Sequence, residues 1–122
     1  MKYLDARGKG EWDYDVKNDI LLFKIKGRKY VKSVEFNDLV LDLDNEDFVT
    51  GIQIFDASEI LKIDKHSFKN IHHWEFHVKI ENEIARVQLM FDILNAKMKE
   101  RRGQDLIRES PGLNDSEVVC VV

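Results

Sequence analysis

His72-His73-x-Glu75-x-His77 carries the most chemistry per residue in this chain. Neutral imidazole and carboxylate are both ligands for Zn²⁺. On a strand, His73, Glu75 and His77 leave one side at intervals of about 6.6 Å. Side chains at that spacing converge poorly on one ion, so His66 or an acidic residue would have to complete the set. The plainer reading is the wet face of a strand whose other face is Trp74, Phe76 and Val78.

A second group is basic. Lys24, Lys26, Arg28, Lys29 and Lys32 surround one turn, with Tyr30 among them. Cations beside an aromatic ring can hold single-stranded RNA by charge and stacking. Lysines near strand edges also simply prevent aggregation. Lys97, Lys99, Arg101 and Arg102 make a second basic cluster.

Asp42, Asp44, Glu46 and Asp47 form an acidic knot. Ca²⁺ takes clustered oxygens, but the EF-hand loop needs a Gly at its sixth position and a Glu at its twelfth, and neither falls into place here. A solvated turn is the expectation. Asp56 and Glu59 stand three apart, the spacing of a capping box. They are read as a helix cap in preference to an acidic site with Ser58. There is no Gly-x-Ser-x-Gly, no phosphate-cradling glycine loop and no Cys–His motif, so no catalytic residue is assigned. Cys120 reads as a small hydrophobe.

These groups need elements to position them. Phe48–Leu61, FVTGIQIFDASEIL, organises the first half as a strand running into a helix turn. Thr50, Ile52 and Ile54 alternate with Gly51, Gln53 and Phe55. An interior Gly such as Gly51 marks a bulge or a close approach. Before it, strands are expected at Trp12–Asp15, Ile20–Ile25, Tyr30–Phe36 and Leu39–Asp44, separated by Asn-, Asp- and Gly-rich turns. Leu21, Phe23 and Ile25 share one face. Ile20 and Leu22 lie on the other, which suggests a covering partner.

Trp74–Ile80 alternates cleanly. Residues 84–98 fit either a strand or a helix stripe; the strand is chosen, as the return arm of a hairpin over 72–94. Residues 1–10 read as a loose lead-in and 103–117 as a polar tail. Glu117–Val122 supplies a possible last strand, sticky if exposed. The fold expected is mainly β (α+β): an antiparallel β-meander with one short helix, then a hairpin half, packed as a two-layer sandwich or roll.

The 122 residues suggest one domain over 1–122. The net charge of −4 gives no global pull toward nucleic acid. Cys120 is the lone cysteine, and no apolar leader or bilayer-spanning run stands out, so a cytoplasmic protein away from membranes is expected.

Tyr14-Asp15, then Asp19, Leu21 and Phe23, then Leu41-Asp42-Leu43-Asp44 and Gly51-Ile52-Gln53-Ile54-Phe55-Asp56-Ala57-Ser58 resemble a small prokaryotic family of unknown function, DUF2283. The resemblance covers about Trp12 to Leu61. Longer, archaeal-type members continue with a β-rich half and a Ser-Glu-Val-x-Cys ending, which Ser116–Cys120 resembles. Two positions depart: Asn45-Glu46-Asp47 replaces an Asp-Gly turn, and Gln53 replaces a Glu. The resemblance implies no activity or cofactor. Gene neighbourhood in such families suggests an antitoxin-type role, which is association and not chemistry.

The leading expectation is therefore a non-catalytic protein-interaction module, homodimeric, with an antitoxin-like role against a small basic protein as its sharper form. RNA binding through Lys24–Lys32 and metal binding through His73, Glu75 and His77 are the alternatives.

Overall fold

The computed structural model describes residues 1–122 as ten strands, a short α-helix and a 3₁₀ turn. The first sheet contains β2 (Gly10–Asp15), β3 (Ile20–Ile25), β4 (Lys32–Glu35), β5 (Leu39–Leu43) and β6 (Val49–Phe55). Its spatial order is β2-β3-β6-β5-β4, with every pairing antiparallel. After β3 the chain crosses to the far edge and returns, so β6 lies between β3 and β5. The stretch that organises the sequence therefore fills the centre of the sheet.

The second sheet contains β1 (Lys2–Arg7), β7 (Ile71–Glu81), β8 (Ile84–Asn95), β9 (Met98–Glu109) and β10 (Ser116–Val121). Its order is β1-β10-β7-β8-β9. The segment open to two readings, 84–98, is a strand as far as Asn95. Two expectations fail here. Residues 1–10 are not a loose lead-in, because β1 pairs with β10, and in parallel. Residues 103–117 are not a tail, because β9 runs antiparallel to β8 along its whole length. The last strand does form, and it lies between β1 and β7.

The two sheets share one apolar cluster. Leu21, Phe23 and Ile25 point into it from β3, and Ile52 and Ile54 from β6. Trp74, Phe76, Val78 and Ile80 answer from β7. Trp74 is the hinge pin between the layers. Its ring centroid lies 5.4 Å from Trp12 and 5.1 Å from Phe23 on the first sheet, and 4.9 Å from Phe91 on the second. Such tilted and edge-on pairs add to the burial of the rings. Ile20 and Leu22, outward on β3, are half-buried.

The helix α1 (Ala57–Leu61) is capped, but not by Asp56 and Glu59. Asp56 stands at the N-cap position in a left-handed conformation, φ 52°, and its side chain makes no cap hydrogen bond. A capping side chain folds back from an extended backbone, and a left-handed residue aims it away. Asp19 takes the role from 39 residues upstream. Its Oδ1 accepts from the Ser58 backbone N–H at 2.9 Å, and its Oδ2 from the Ser58 hydroxyl at 2.6 Å. Its carbonyl accepts from the Ala57 N–H at 3.1 Å. Tyr14 donates its hydroxyl to Oδ1 at 2.6 Å and stacks on Phe68, 3.8 Å between centroids. The 3₁₀ turn Lys65–Asn70 supplies Phe68 and leads into β7.

Candidate functional site

The strand register writes two rows of side chains across the outward face of the first sheet. One row is Glu11, Lys24, Gly51, Asp42 and Ser33. The next is Asp13, Leu22, Gln53, Val40 and Glu35. Gly51 leaves a notch at the centre of the first row. A Cβ there would meet Asp42 Oδ2 at 2.9 Å and the Phe23 carbonyl oxygen at 3.4 Å. The Asp42 carboxylate thus leans over the glycine into space that any side chain would fill. The β5–β6 register slips between Asp42 and Leu43, which leaves Thr50 as an extra residue beside the notch. This is the bulge that a strand-interior glycine predicts.

A cleft of about 700 Å³ opens over this notch. Lys24, Asp42, Thr50, Gly51 and Gln53 line it from the sheet. Arg28, Lys29 and Tyr30 line it from the loop after β3. Gly27, at φ 79°, lets the chain reverse into that loop. The Val31 N–H donates to the Leu43 carbonyl at 2.8 Å and ties the loop's far end to β5.

Asp42 is 8% exposed. Its Oδ1 accepts from the Ser33 hydroxyl at 2.6 Å. Its Oδ2 accepts no hydrogen bond from the protein and stands over Gly51 on the cleft floor. A carboxylate oxygen open to a cleft and without a protein donor can accept from a ligand's N–H or O–H. Asp44 is different: it is 3% exposed and fully used. It accepts from Arg28 at 2.6 Å, from the Glu46 N–H at 2.9 Å and from the Phe48 N–H at 3.0 Å. The acidic knot is therefore no solvated turn. Asp44 is the post around which the turn folds, and Asp42 is a cleft residue.

A smaller cleft of about 280 Å³ lies by Trp12, Tyr14, His66 and Phe68. Its polar floor is already committed, since Tyr14 serves Asp19 and stacks on Phe68.

The family model described as a protein of unknown function, DUF2283, matches residues 12–58, the stretch that builds this sheet and its cap. A Methanocaldococcus jannaschii protein printed as uncharacterized is 32% identical over 115 residues, covering 88% of this chain and 94% of its own length. The chain belongs to the DUF2283 family. A Methanosarcina mazei protein with the printed name "Putative hypoxanthine phosphoribosyltransferase" is 27% identical over 104 residues, 85% of this chain and 81% of its own. No solved structure matches this chain.

Most polar residues that carry the DUF2283 resemblance are architectural. Tyr14, Asp19 and Ser58 form the cap, and Asp44 forms the turn. Burial pushes the Asp19 carboxyl up, but hydrogen bonds from Ser58 and Tyr14 outweigh it and hold the group below the usual carboxylate range. Burial, then the bond to Asp19, pushes the Tyr14 phenol well above its ordinary value. Asp42, Gly51 and Gln53 are the members of the set that line the larger cleft.

The basic group is divided. Lys24, Arg28 and Lys29 line the cleft, while Lys26 and Lys32 do not. Arg28 is spent on Asp44, lies 3.6 Å from Glu46 and sits over the Phe48 ring at 5.4 Å. Lys32 lies 3.6 Å from Asp47. Lys24 and Lys29 are in no ion pair.

His73, Glu75 and His77 lie on the outward face of the second sheet, far from any shared focus. His73 and Glu75 approach to 3.4 Å, and Glu75 also holds Arg101 at 2.5 Å. His77 pairs instead with Glu117 on β10 at 2.7 Å. No three His, Cys, Asp or Glu side chains are grouped to hold a metal ion. Cys120 is buried, and burial pushes its thiol up to about 11, which suits packing and not attack. No helix is long and apolar enough to cross a membrane. Sequence reading placed Asp42 in a solvated acidic turn and missed Ser33, Thr50 and Gln53; an acid alternating with leucines in Leu39–Leu43, beside a strand glycine, was the available sign.

Proposed function

We propose that this DUF2283 protein is a non-catalytic binding module whose working surface is the cleft over Gly51. One observation carries the reading: a nine-tenths buried carboxylate, fixed by Ser33, keeps an oxygen free on the floor of a cleft walled by unpaired lysines. The cleft volume falls in the range of about 300–1,000 Å³ usual for small-ligand sites. Ser58 and Tyr14 are committed to Asp19, and His77 to Glu117, away from this cleft.

RNA as the ligand has less support. Both rows begin in acids at the β2 edge, Glu11 and Asp13; at the β4 edge the second row ends in Glu35 and the first in Ser33. A phosphate backbone crossing the sheet would meet repulsion at the β2 edge. A protein partner has one specific observation in its favour. Tyr30 on the cleft rim and its chain neighbour Val31 are 62% and 64% exposed. A homodimer or a small protein docking there would cover them.

Native mass spectrometry of protein purified gently from its own host tests the reading. Wild type retains a bound molecule, and Gly51→Ala and Lys24→Glu each lose it. Equal retention by all three would remove the cleft as the working surface.

A further inference from the structure

We propose that the cleft over Gly51 takes a nucleotide: a phosphate ester that also carries a hydrogen-bond donor and a flat ring. The inference rests on the binding-module reading and names the ligand for that site.

Each part of the ligand has a counterpart in the cleft. Asp42 Oδ2 is a free acceptor on the floor, and a carboxylate accepts without donating. It calls for an N–H or O–H and repels a bare anion. Lys24 stands on the other side of Gly51 in the same row, and Lys29 lines the rim. Neither has an acidic partner, and a lysine ammonium binds phosphate as a point charge. The Gln53 amide, one row below, both donates and accepts. Tyr30 lines the same cleft with 62% of its surface exposed, a ring with an open face.

The missing side chain at Gly51 makes the opposition work. Cation and acid face each other across a gap that would otherwise be filled, so one ligand can span both. Glu11 and Asp13 at the β2 edge oppose a polyanion laid across the sheet, whereas a monomer over Gly51 need not reach them. A sugar phosphate shares the phosphate and the hydroxyl donors. It lacks the ring that Tyr30 would stack on, and for this reason a nucleotide fits better.

Isothermal titration of the full chain discriminates among these, using adenosine and guanosine monophosphates, the two nucleosides, ribose 5-phosphate and inorganic phosphate. One of the monophosphates binds, and its nucleoside binds at least about tenfold more weakly, the worth of a charge-assisted contact. Lys24→Gln weakens the monophosphate by about tenfold and leaves the nucleoside unchanged. Tyr30→Ala weakens both by about tenfold and leaves ribose 5-phosphate unchanged, as loss of stacking requires. Both positions are exposed, and circular dichroism confirms that the variants fold.

Ribose 5-phosphate or inorganic phosphate binding as tightly as the monophosphates would overturn the nucleotide. No binding by any probe, while the host-purified protein carries another molecule that Gly51→Ala loses, would also overturn it and leave the binding module standing. No binding and no carried molecule would remove both.

Discussion

Asp19 caps a distant helix turn, with both carboxylate oxygens on Ser58, 39 residues later in the chain, at 2.9 Å to its N–H and 2.6 Å to its hydroxyl. The contact staples the β2–β3 turn to the end of β6. It also fixes Tyr14, whose hydroxyl reaches the same carboxylate.

Asp19→Ala removes a cap and leaves the Tyr14 and Ser58 hydroxyls without their acceptor. The expected loss is about 3 kcal/mol of folding stability. Ser58→Ala costs less, about 1 kcal/mol, because the backbone bond to Asp19 persists. Urea denaturation of the three proteins checks the order. Equal stability of Asp19→Ala and wild type would contradict it.

The same carboxylate predicts a pH dependence. Its folded pKa lies below the unfolded value of about 3.9. Its contribution is therefore complete above that unfolded value and disappears as pH falls through the folded one. The stability gap between wild type and Asp19→Asn narrows as pH drops below about 4 and stays constant above about 6. A gap that widened in acid would reverse the sign and refute the assignment.

Trp74 joins the two sheets, and its indole Nε1 is buried without a hydrogen-bond partner. Trp74→Ala opens a cavity between the layers and costs about 4 kcal/mol. Trp74→Phe keeps much of the volume and removes the unpaired N–H, so it costs about 2 kcal/mol or less. Thermal unfolding distinguishes the two. Similar penalties would mean that the ring is not the packing element.

Cys120 is buried and its thiol is pushed up to about 11. A disulfide reagent at pH 8 leaves the native protein unmodified over minutes and labels one thiol per chain once denaturant is added. Fast native labelling would place the residue at the surface.

The parts of this fold legible in the sequence were those with one wet and one dry face. Leu21, Phe23 and Ile25, or Trp74, Phe76 and Val78, announce their strands because alternate side chains reach the core. Strand β9 gave no such sign, since only Leu106 of its twelve residues is buried. Strand β1 buries only Ala6. β9 is held by its hairpin ladder to β8, and β1 by a ladder to β10 at the other end of the chain. The cap misled for the same reason: Asp56 and Glu59 have the local spacing, while the working carboxylate arrives from another turn. At the candidate site, Gly51 predicted a close approach, but which side chain approached depended on the β5–β6 register.

The account stands most directly on where a ligand touches the protein. Amide chemical shifts of ¹⁵N-labelled protein, followed while a nucleoside monophosphate is added, read this at every residue. Shifts gathered at Lys24, Lys29, Tyr30, Asp42, Gly51 and Gln53 are the predicted result. Shifts gathered instead at His73, Glu75 and His77 on the other sheet would contradict the cleft as the site.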